Sequence, residues 1–299
     1  MNNNTAAAAD IKILLTLLFG AVCISFAPVF VKLLLDKLGP TAIGFWRMFF
    51  GGIILFILAG MKGQKLILPR PLFSRAVLAG FLFFLDLFVW HRSIIYTGAG
   101  MATILGNTQV FVTALLSFFI FKEKLTWKYF TAAFSALVGV ALLVGMVSDI
   151  SFSVNYIKGI VFGLLTGVAY ANYLITLKST MTKFKKVQVV AFMAWSTIFS
   201  SFFFVVSTVV EGVTFFPPDT YSYLILFSLG LVAQALGWWS IFKSLSSIPA
   251  ARAGLILLLQ PILAMVWGIF FFNEQLDFTQ VIGAVITLTA IYYGSVHRQ

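Results

Sequence analysis

Apolar residues in this chain do not alternate with polar ones. They run together in long blocks, each closed by a short cluster of Lys, Asn, Asp or Gly. A helix that crosses a bilayer needs about 20 apolar residues in succession. By that criterion the pattern predicts about ten spans, at roughly 13–35, 40–60, 72–96, 98–121, 127–147, 157–178, 187–210, 221–243, 249–272 and 277–296. The third and fourth blocks meet at "YTGAG", where Gly98 and Gly100 predict a tight turn. Most links are short, so neighbouring helices are expected to run antiparallel, and no stretch is left over for an extramembrane domain. The polar start "MNNNTAAAAD" leads into an apolar run with no small-residue cleavage site. The first block therefore reads as a span and not as a removed signal peptide.

Composition agrees with the pattern. Hydrophobic residues make up 61% of the chain, charged residues 10%, and Phe occurs 34 times. A soluble domain is about a quarter charged. Cys23 is the single cysteine, which excludes an internal disulfide and a cysteine metal cluster. His91 and His297 are too few and too far apart for a histidine-based zinc site. The net charge of +11 would suit a nucleic-acid partner in a soluble protein. Here the positive charges sit in short links, which excludes that reading.

Their distribution predicts a topology. One side collects Lys12, Lys62, Lys65, Arg70, Arg75, Lys122, Lys124, Lys128, Lys178, Lys183, Lys185, Lys186, Lys243 and Arg298. The other holds Lys32, Lys37, Arg92 and Lys158 with Asp149, Glu211, Asp219, Glu274 and Asp277. The lysine-rich side should be cytoplasmic, with both termini on it, in a multi-pass protein of a bacterial inner membrane.

The chain also repeats itself. "GMATILGNTQVFVTALLSFFIFKEKLTW" at 100–127 resembles "ARAGLILLLQPILAMVWGIFFFNEQLDF" at 251–278. Ala102 with Ala253, Gln109 with Gln260 and Glu123 with Glu274 share one offset, since 253−102, 260−109 and 274−123 each give 151. The predicted halves are 1–148 and 149–299. Five spans per half invert the second copy, and the lysines of "KEKLTWK" vanish in "NEQLDF" accordingly. Inverted repeats are a common transporter plan, with the substrate near the midplane at their interface.

The two five-span halves, "FWR" early in the second span and the glutamates closing the fourth and ninth spans resemble the drug/metabolite transporter superfamily, EamA type. The resemblance covers nearly the whole chain. "DLFVWHRS" followed by "ATILGNTQVFVTALLSFFIFKEKL" is similar to a bacterial branch carrying D-x-x-x-W-H on its third helix. "GWWSIFKSLSSIPAARAGLILLLQPILA" is similar to that branch's eighth and ninth helices. In one departure, Val110 stands where proline is expected, while the second copy keeps Gln260-Pro261. The resemblance implies ten helices around a central cavity and transport of small molecules, often export of amino acids or metabolites.

Against this background an ionisable group at bilayer depth is a functional-site hypothesis. Asp86 falls near the predicted midplane, and its position at the repeat offset is Gly237, so the halves are not chemically equivalent. The functional reading is a protonatable switch or a ligand for a substrate amine; the bland one is a fixed ion pair between helices. Arg47 reaches a similar depth from the opposite face, either as the partner of Asp86, as a ligand for a substrate carboxylate, or snorkelling to headgroups. Trp90 shares the face of Asp86. His91 and Arg92 are expected near the outer interface. Ser25, Asn107, Gln109, Tyr170, Asn172, Gln234 and Gln260 fall at similar depth and are read as a cavity lining, although each alone is more often helix–helix glue. Gln109 and Gln260 are expected near each other. Pro28 and Pro261 remove backbone donors and suit gating. Trp46, Trp238 and Trp239 are candidate aromatic walls, the last two better read as an interfacial belt. Arg252 is expected to snorkel to the cytoplasm.

These readings converge on a secondary-active or facilitative transporter of an amino acid, similar zwitterion or heterocycle, working by alternating access and with export favoured. Its expected partners are the small-molecule substrate, a proton as candidate coupling ion and the lipid bilayer, without nucleic acid, cofactor or metal. No G-x-x-x-x-G-K-[ST] pattern is present, so ATP hydrolysis by that route is excluded. The alternative is an intramembrane enzyme, sensor or channel using Asp86 and His91. The topology is open to a direct check: cysteines placed at Lys65 and at Gln299 in a Cys23→Ser background should resist an impermeant thiol reagent in intact cells and react after permeabilisation. Labelling from outside would reverse the orientation.

Overall fold

In hydrocarbon no water is available for backbone N–H and C=O groups, so an apolar block must satisfy them internally. The computed structural model, which describes residues 3–34, 36–143, 153–184, 187–273 and 277–296, is accordingly helical throughout, with no strand among the described residues. The helices are α1 (Asn3–Ser25), α2 (Ala27–Lys32), α3 (Pro40–Met61), α4 (Arg70–Asn107), α5 (Gln109–Phe121), α6 (Trp127–Leu143) and α7 (Val154–Lys183). They continue with α8 (Val189–Glu211), α9 (Thr220–Leu229), a π-helical stretch (Gly230–Gly237), α10 (Trp238–Leu245), α11 (Ala250–Ile256), α12 (Leu259–Phe272) and α13 (Phe278–Val296). Among the described residues eight helical stretches are long and apolar enough to cross a membrane, and Trp127–Leu142 and Phe278–Gly294 are shorter apolar helices. Together they correspond to the ten predicted blocks. The half boundary at 148/149, Asp149, Lys185, Lys186, Glu274, His297 and Arg298 lie outside the described residues.

Packing divides the chain differently from the sequence repeat. One compact unit comprises Met1–Phe81 with Thr176–Pro249, the other Leu82–Ile175 with Ala250–Gln299. Each unit therefore draws helices from both halves of the sequence.

In the first unit α3 lies along α8 and the π-helical stretch. Glycines make the approach possible: a Cβ added at Gly44 would meet the Phe204 ring, one at Gly51 the Gln234 side chain, and one at Gly52 Ile198, all within 2.7 Å. Small residues at such crossings let helix backbones close up where lipid offers no hydrophobic drive to associate. The link from α2 to α3 and the start of α9 are tied by Lys37 and Asp219, 2.7 Å apart. Asp219 also caps α9 by accepting from the Ser222 N–H. The bond from Lys37, then those from Ser222, hold the Asp219 carboxyl down at about 2. Because its pKa is depressed, the cap and its pairing persist above the ordinary carboxylate range and are lost only as pH falls through about 2.

The second unit contains the chain reversal predicted at "YTGAG". Helical turns continue through α4, yet a Cβ on Gly163 of α7 would contact both Leu105 at 2.6 Å and the Ser93 hydroxyl at 2.8 Å. Residues twelve apart would be about 18 Å apart in a straight helix. The chain therefore folds back between Thr97 and Ala102, and α4 makes two passes, through Arg70–Thr97 and into Ala102–Phe121. Gly159, Gly163 and Gly167 form the face of α7 against which both limbs rest. Elsewhere in this unit α6 and α13 pair along their length, with Ala132, Ala133, Ala136 and Ala290 in the seam.

At Gly139 in that seam an added Cβ would lie 2.4 Å from Thr287 Oγ1 and 2.7 Å from the Gly283 carbonyl. Gly139→Leu should therefore destabilise the protein by about 1–3 kcal/mol, the usual cost of overpacking. Gly60→Leu, whose Cβ meets nothing within 4 Å, should leave thermal stability in detergent unchanged. Equal melting of the two variants would contradict this packing.

Candidate functional site

A proline inside a helix leaves a carbonyl one turn earlier without its donor. Pro261 does this to Leu257. The chain tightens in response: Gln260 N–H donates to the Leu257 carbonyl at 3.1 Å and Leu258 N–H to Leu255 at 3.2 Å, separating α11 from α12. Leu258 has thereby abandoned the carbonyl four residues back, that of Gly254. The Gln109 side chain takes it, donating from Nε2 at 3.1 Å, while its Oε1 accepts from Thr113 at 2.9 Å. Gln109 is completely buried, so this satisfied amide seals the break.

The first copy breaks at the matching place without a proline. Thr108 separates α4 from α5, and both its N–H and its hydroxyl donate to the Leu105 carbonyl. The Asn107 side chain donates to the Thr103 carbonyl at 2.9 Å. Thr103 and Gly254 are related by the repeat offset, since 254−103 gives 151. At both positions a side-chain amide serves the carbonyl. The substitution of valine for proline at position 110 therefore does not abolish the break; Asn107 and Thr108 supply it by local side-chain bonding.

Other predicted residues of the second unit fall around these breaks. Gln260 is half-buried and donates to the Tyr170 hydroxyl at 3.3 Å. Gln109 and Gln260 thus bond to different partners, the Gly254 carbonyl and the Tyr170 hydroxyl. Asp86 is buried on α4. One turn before it in the same helix, Phe83 stacks on Tyr173, with ring centres 4.6 Å apart. Trp90, one turn after Asp86, borders Gly106, whose added Cβ would lie 3.9 Å from Trp90 Cδ1. Asn172 instead bonds its own helix, donating to the Val168 carbonyl at 2.8 Å.

In the first unit Ser25, Pro28, Arg47 and Gln234 belong to a second irregular region. Pro28 denies a donor to Ile24, and α1 ends at Ser25, whose hydroxyl donates to the Val22 carbonyl at 2.6 Å. Pro28 itself is exposed, whereas Ser25 is buried. The π-helical stretch lies beside this break: a Cβ on Gly237 would meet Ile24 at 2.7 Å and Cys23 at 3.2 Å. Its other end faces α3, where a Cβ on Gly230 would lie 3.1 Å from the Arg47 carbonyl. Gln234, completely buried in the π-helical stretch, donates to Thr197 at 3.2 Å, and its Oε1 has no hydrogen-bond partner among the described residues. The Ser200 hydroxyl on α8 is likewise buried without a partner there. π-Helical insertions are frequent at functional sites, and this one carries Gln234, bonded to Thr197, beside the backbone of α3 at Arg47.

Several expectations are corrected. His91 is not at a wet interface: it is buried at 5% exposure, because one residue beyond Trp90 the helix turns it inward. Arg92 folds back on its own helix, over the Phe88 ring and onto the Phe88 carbonyl. Trp238 is buried and not part of a belt, while Trp239 keeps interfacial surroundings, with Lys62 and Lys243 each 5.5 Å from its ring. Trp46 is buried among Phe45, Phe50 and Tyr223 and donates to the Phe215 carbonyl. Arg252 is half-buried with its Nε enclosed.

Lys178 is not a loop lysine. It is buried and donates to the Leu245 and Ile248 carbonyls at the end of α10. Glu123 accepts from the Ala250 and Ala251 N–H groups at the start of α11, at 2.9 and 3.4 Å. Each charge meets the helix end of opposite partial charge. The signal for Lys178 was Pro249, which ends one helix and leaves its last carbonyls needing donors. Thr113, Thr197 and Ser200 carried no signal, since a hydroxyl at mid-span looks the same whether it packs or binds.

The profile of the EamA-like transporter family matches the chain twice, over residues 11–145 and 157–295. An uncharacterized transporter of Clostridium kluyveri is 27% identical over 82% of this chain and 80% of its own. An S-adenosylmethionine uptake transporter of Rickettsia prowazekii is 23% identical over 92% of this chain and 90% of its own. A probable amino-acid metabolite efflux pump of Escherichia coli is 25% identical over 65% and 66%. A protein crystal structure superposes with a TM-score of 0.81 at 14% identity, over 95% of this chain and 96% of that one, a likeness of fold.

The sealed break gives a stability prediction. Gln109→Leu leaves the Gly254 carbonyl without its amide, and an unsatisfied buried group costs about 1–3 kcal/mol. Its melting temperature in detergent should fall, and that of Asn172→Leu, which removes only a bond along one helix, should not. An unchanged melting temperature for Gln109→Leu would mean that the carbonyl does not need the amide.

Proposed function

Because this chain belongs to the EamA-like transporter family, we propose that it carries a small metabolite, an amino acid or similar zwitterion or heterocycle, across a bacterial inner membrane by alternating access. Carriers of this kind bind at interrupted helices, where backbone groups and amides are available at membrane depth. The observation that carries the reading is the pair of helix breaks at Thr108 and at Leu257–Leu258, the second with the Gln109 amide on the Gly254 carbonyl that the break releases.

In this proposal Asn107, Gln109, Gln260, Tyr170 and Asn172, with Ser25 and Gln234, supply hydrogen bonds. Trp90 supplies an aromatic face, Arg47 holds a carboxylate, and Pro28 and Pro261 mark the segments that move. The lysine-rich side is cytoplasmic and the sequence halves divide at 148/149. Two relatives are named for opposite directions, uptake of S-adenosylmethionine and efflux of amino-acid metabolites. That fits one reversible cycle whose direction follows the gradient, and export is the direction proposed here. The family is one of transporters and not of enzymes.

Asp86 is proposed as the coupling acid. It is a buried acid within a membrane-spanning segment, where an ionisable group is a functional-site hypothesis by default. Asp86→Asn in proteoliposomes should keep substrate exchange, assayed across an amino-acid and vitamin panel, and lose accumulation driven by a proton gradient. Gradient-driven accumulation at the wild-type rate in that variant would overturn the coupling role.

A further inference from the structure

Away from these breaks, a cavity of about 390 Å³ opens at one end of the first unit, lined by Lys65, Ile67, Leu68, Leu72, Lys183 and Gln188 among others. Its walls are well built. Gly63, at φ 61°, turns the chain after α3, with the Gln64 N–H returning to the Ala59 carbonyl. The Gln64 side chain then accepts from Ala191 at 3.0 Å, capping the start of α8, and the Trp195 indole donates to the Leu66 carbonyl at 2.8 Å. The loop is thus fastened to α8, which begins immediately after Gln188.

Three features of the cavity define an occupant. Lys65 and Lys183 are exposed at it, and Lys62 and Arg70 flank it on the same loop. Leu68 and Leu72 form a buried apolar floor, and Met61 and Ile67 project at 79% and 88% exposure beside the lysines, as residues do that dip below a headgroup layer. The Gln188 Oε1 is enclosed and has no hydrogen-bond donor among the described residues. An enclosed amide oxygen is costly to leave unmade and calls for a donor from the occupant.

We propose that this cavity binds the headgroup of an anionic phospholipid that also carries a hydroxyl, a phosphatidylglycerol of the leaflet facing the lysine-rich side. The phosphate sits between Lys65 and Lys183, the glycerol hydroxyl donates to Gln188 Oε1, and the upper acyl chain covers Leu68, Leu72 and Ile67. Basic pockets at the membrane surface attract anionic headgroups by the same combination of charge and apolar contact.

Native mass spectrometry of the full-length protein with dioleoylphosphatidylglycerol, dioleoylphosphatidylcholine and dioleoylphosphatidic acid tests this. The wild type should retain phosphatidylglycerol over both. Lys65→Gln with Lys183→Gln should lower that retention roughly thirtyfold, and Lys65→Arg with Lys183→Arg should preserve it. Lys124→Gln with Lys128→Gln, which changes the same number of charges elsewhere, should have no effect. Gln188→Leu should remove the preference over phosphatidic acid. Equal loss in the two glutamine pairs would mean diffuse attraction and overturn the site. An unchanged preference in Gln188→Leu would overturn the headgroup assignment. Displacement of the lipid by soluble glycerol phosphate at equal concentration would replace the lipid with a free phosphate ester.

Discussion

Every carbonyl that a helix break releases inside a membrane must find a donor, and the rest of this structure follows from how those donors are supplied. Water is absent at that depth, so an unserved carbonyl costs several kcal/mol. Gln109 serves Gly254 and the Ser25 hydroxyl serves Val22, while at the helix end Lys178 serves the last carbonyls of α10. These are the places where a polar side chain is deep and its position fixed.

The breaks recur because the chain is built twice from one pattern, and they are held differently because the copies have diverged. In the second copy Pro261 enforces the break and a distant amide repairs it. In the first, Thr108 and Asn107 do both jobs locally. Glycine plays the complementary part. Gly159, Gly163 and Gly167 let two limbs of one reversing helix rest on α7, and Gly51 and Gly230 let α3 approach the π-helical stretch. Close backbone approach brings Gln234, which bonds to Thr197, against α3 at Gly51 without any loop to hold it.

Much of this was legible in the sequence, for a physical reason. A span must be about 20 residues of nearly pure hydrocarbon, so span number and rough limits could be read directly. The repeat offset was equally plain, because Gln109 and Gln260 stand out against an apolar background. What could not be read was partnership. The offset marks the two glutamines but not their partners, the Gly254 carbonyl in one case and the Tyr170 hydroxyl in the other. Position along a helix also misled where rotation decides: His91 and Trp238 have the depth of interface residues and the facing of buried ones. Lys178 was counted as a loop charge because hydropathy alone does not distinguish a lysine that snorkels from one that caps a helix. The π-helical stretch has no sequence signature beyond its bracketing glycines.

A carrier binds its metabolite on one side of the membrane and then exposes it to the other. Counterflow in proteoliposomes containing only the purified protein tests most directly whether this chain does so. With unlabelled amino acids or related metabolites loaded inside, external labelled substrate should accumulate transiently above equilibrium, and the initial rate should saturate with concentration. Flux that rises linearly with concentration and shows no stimulation from the opposite side, for every member of the panel, would contradict it.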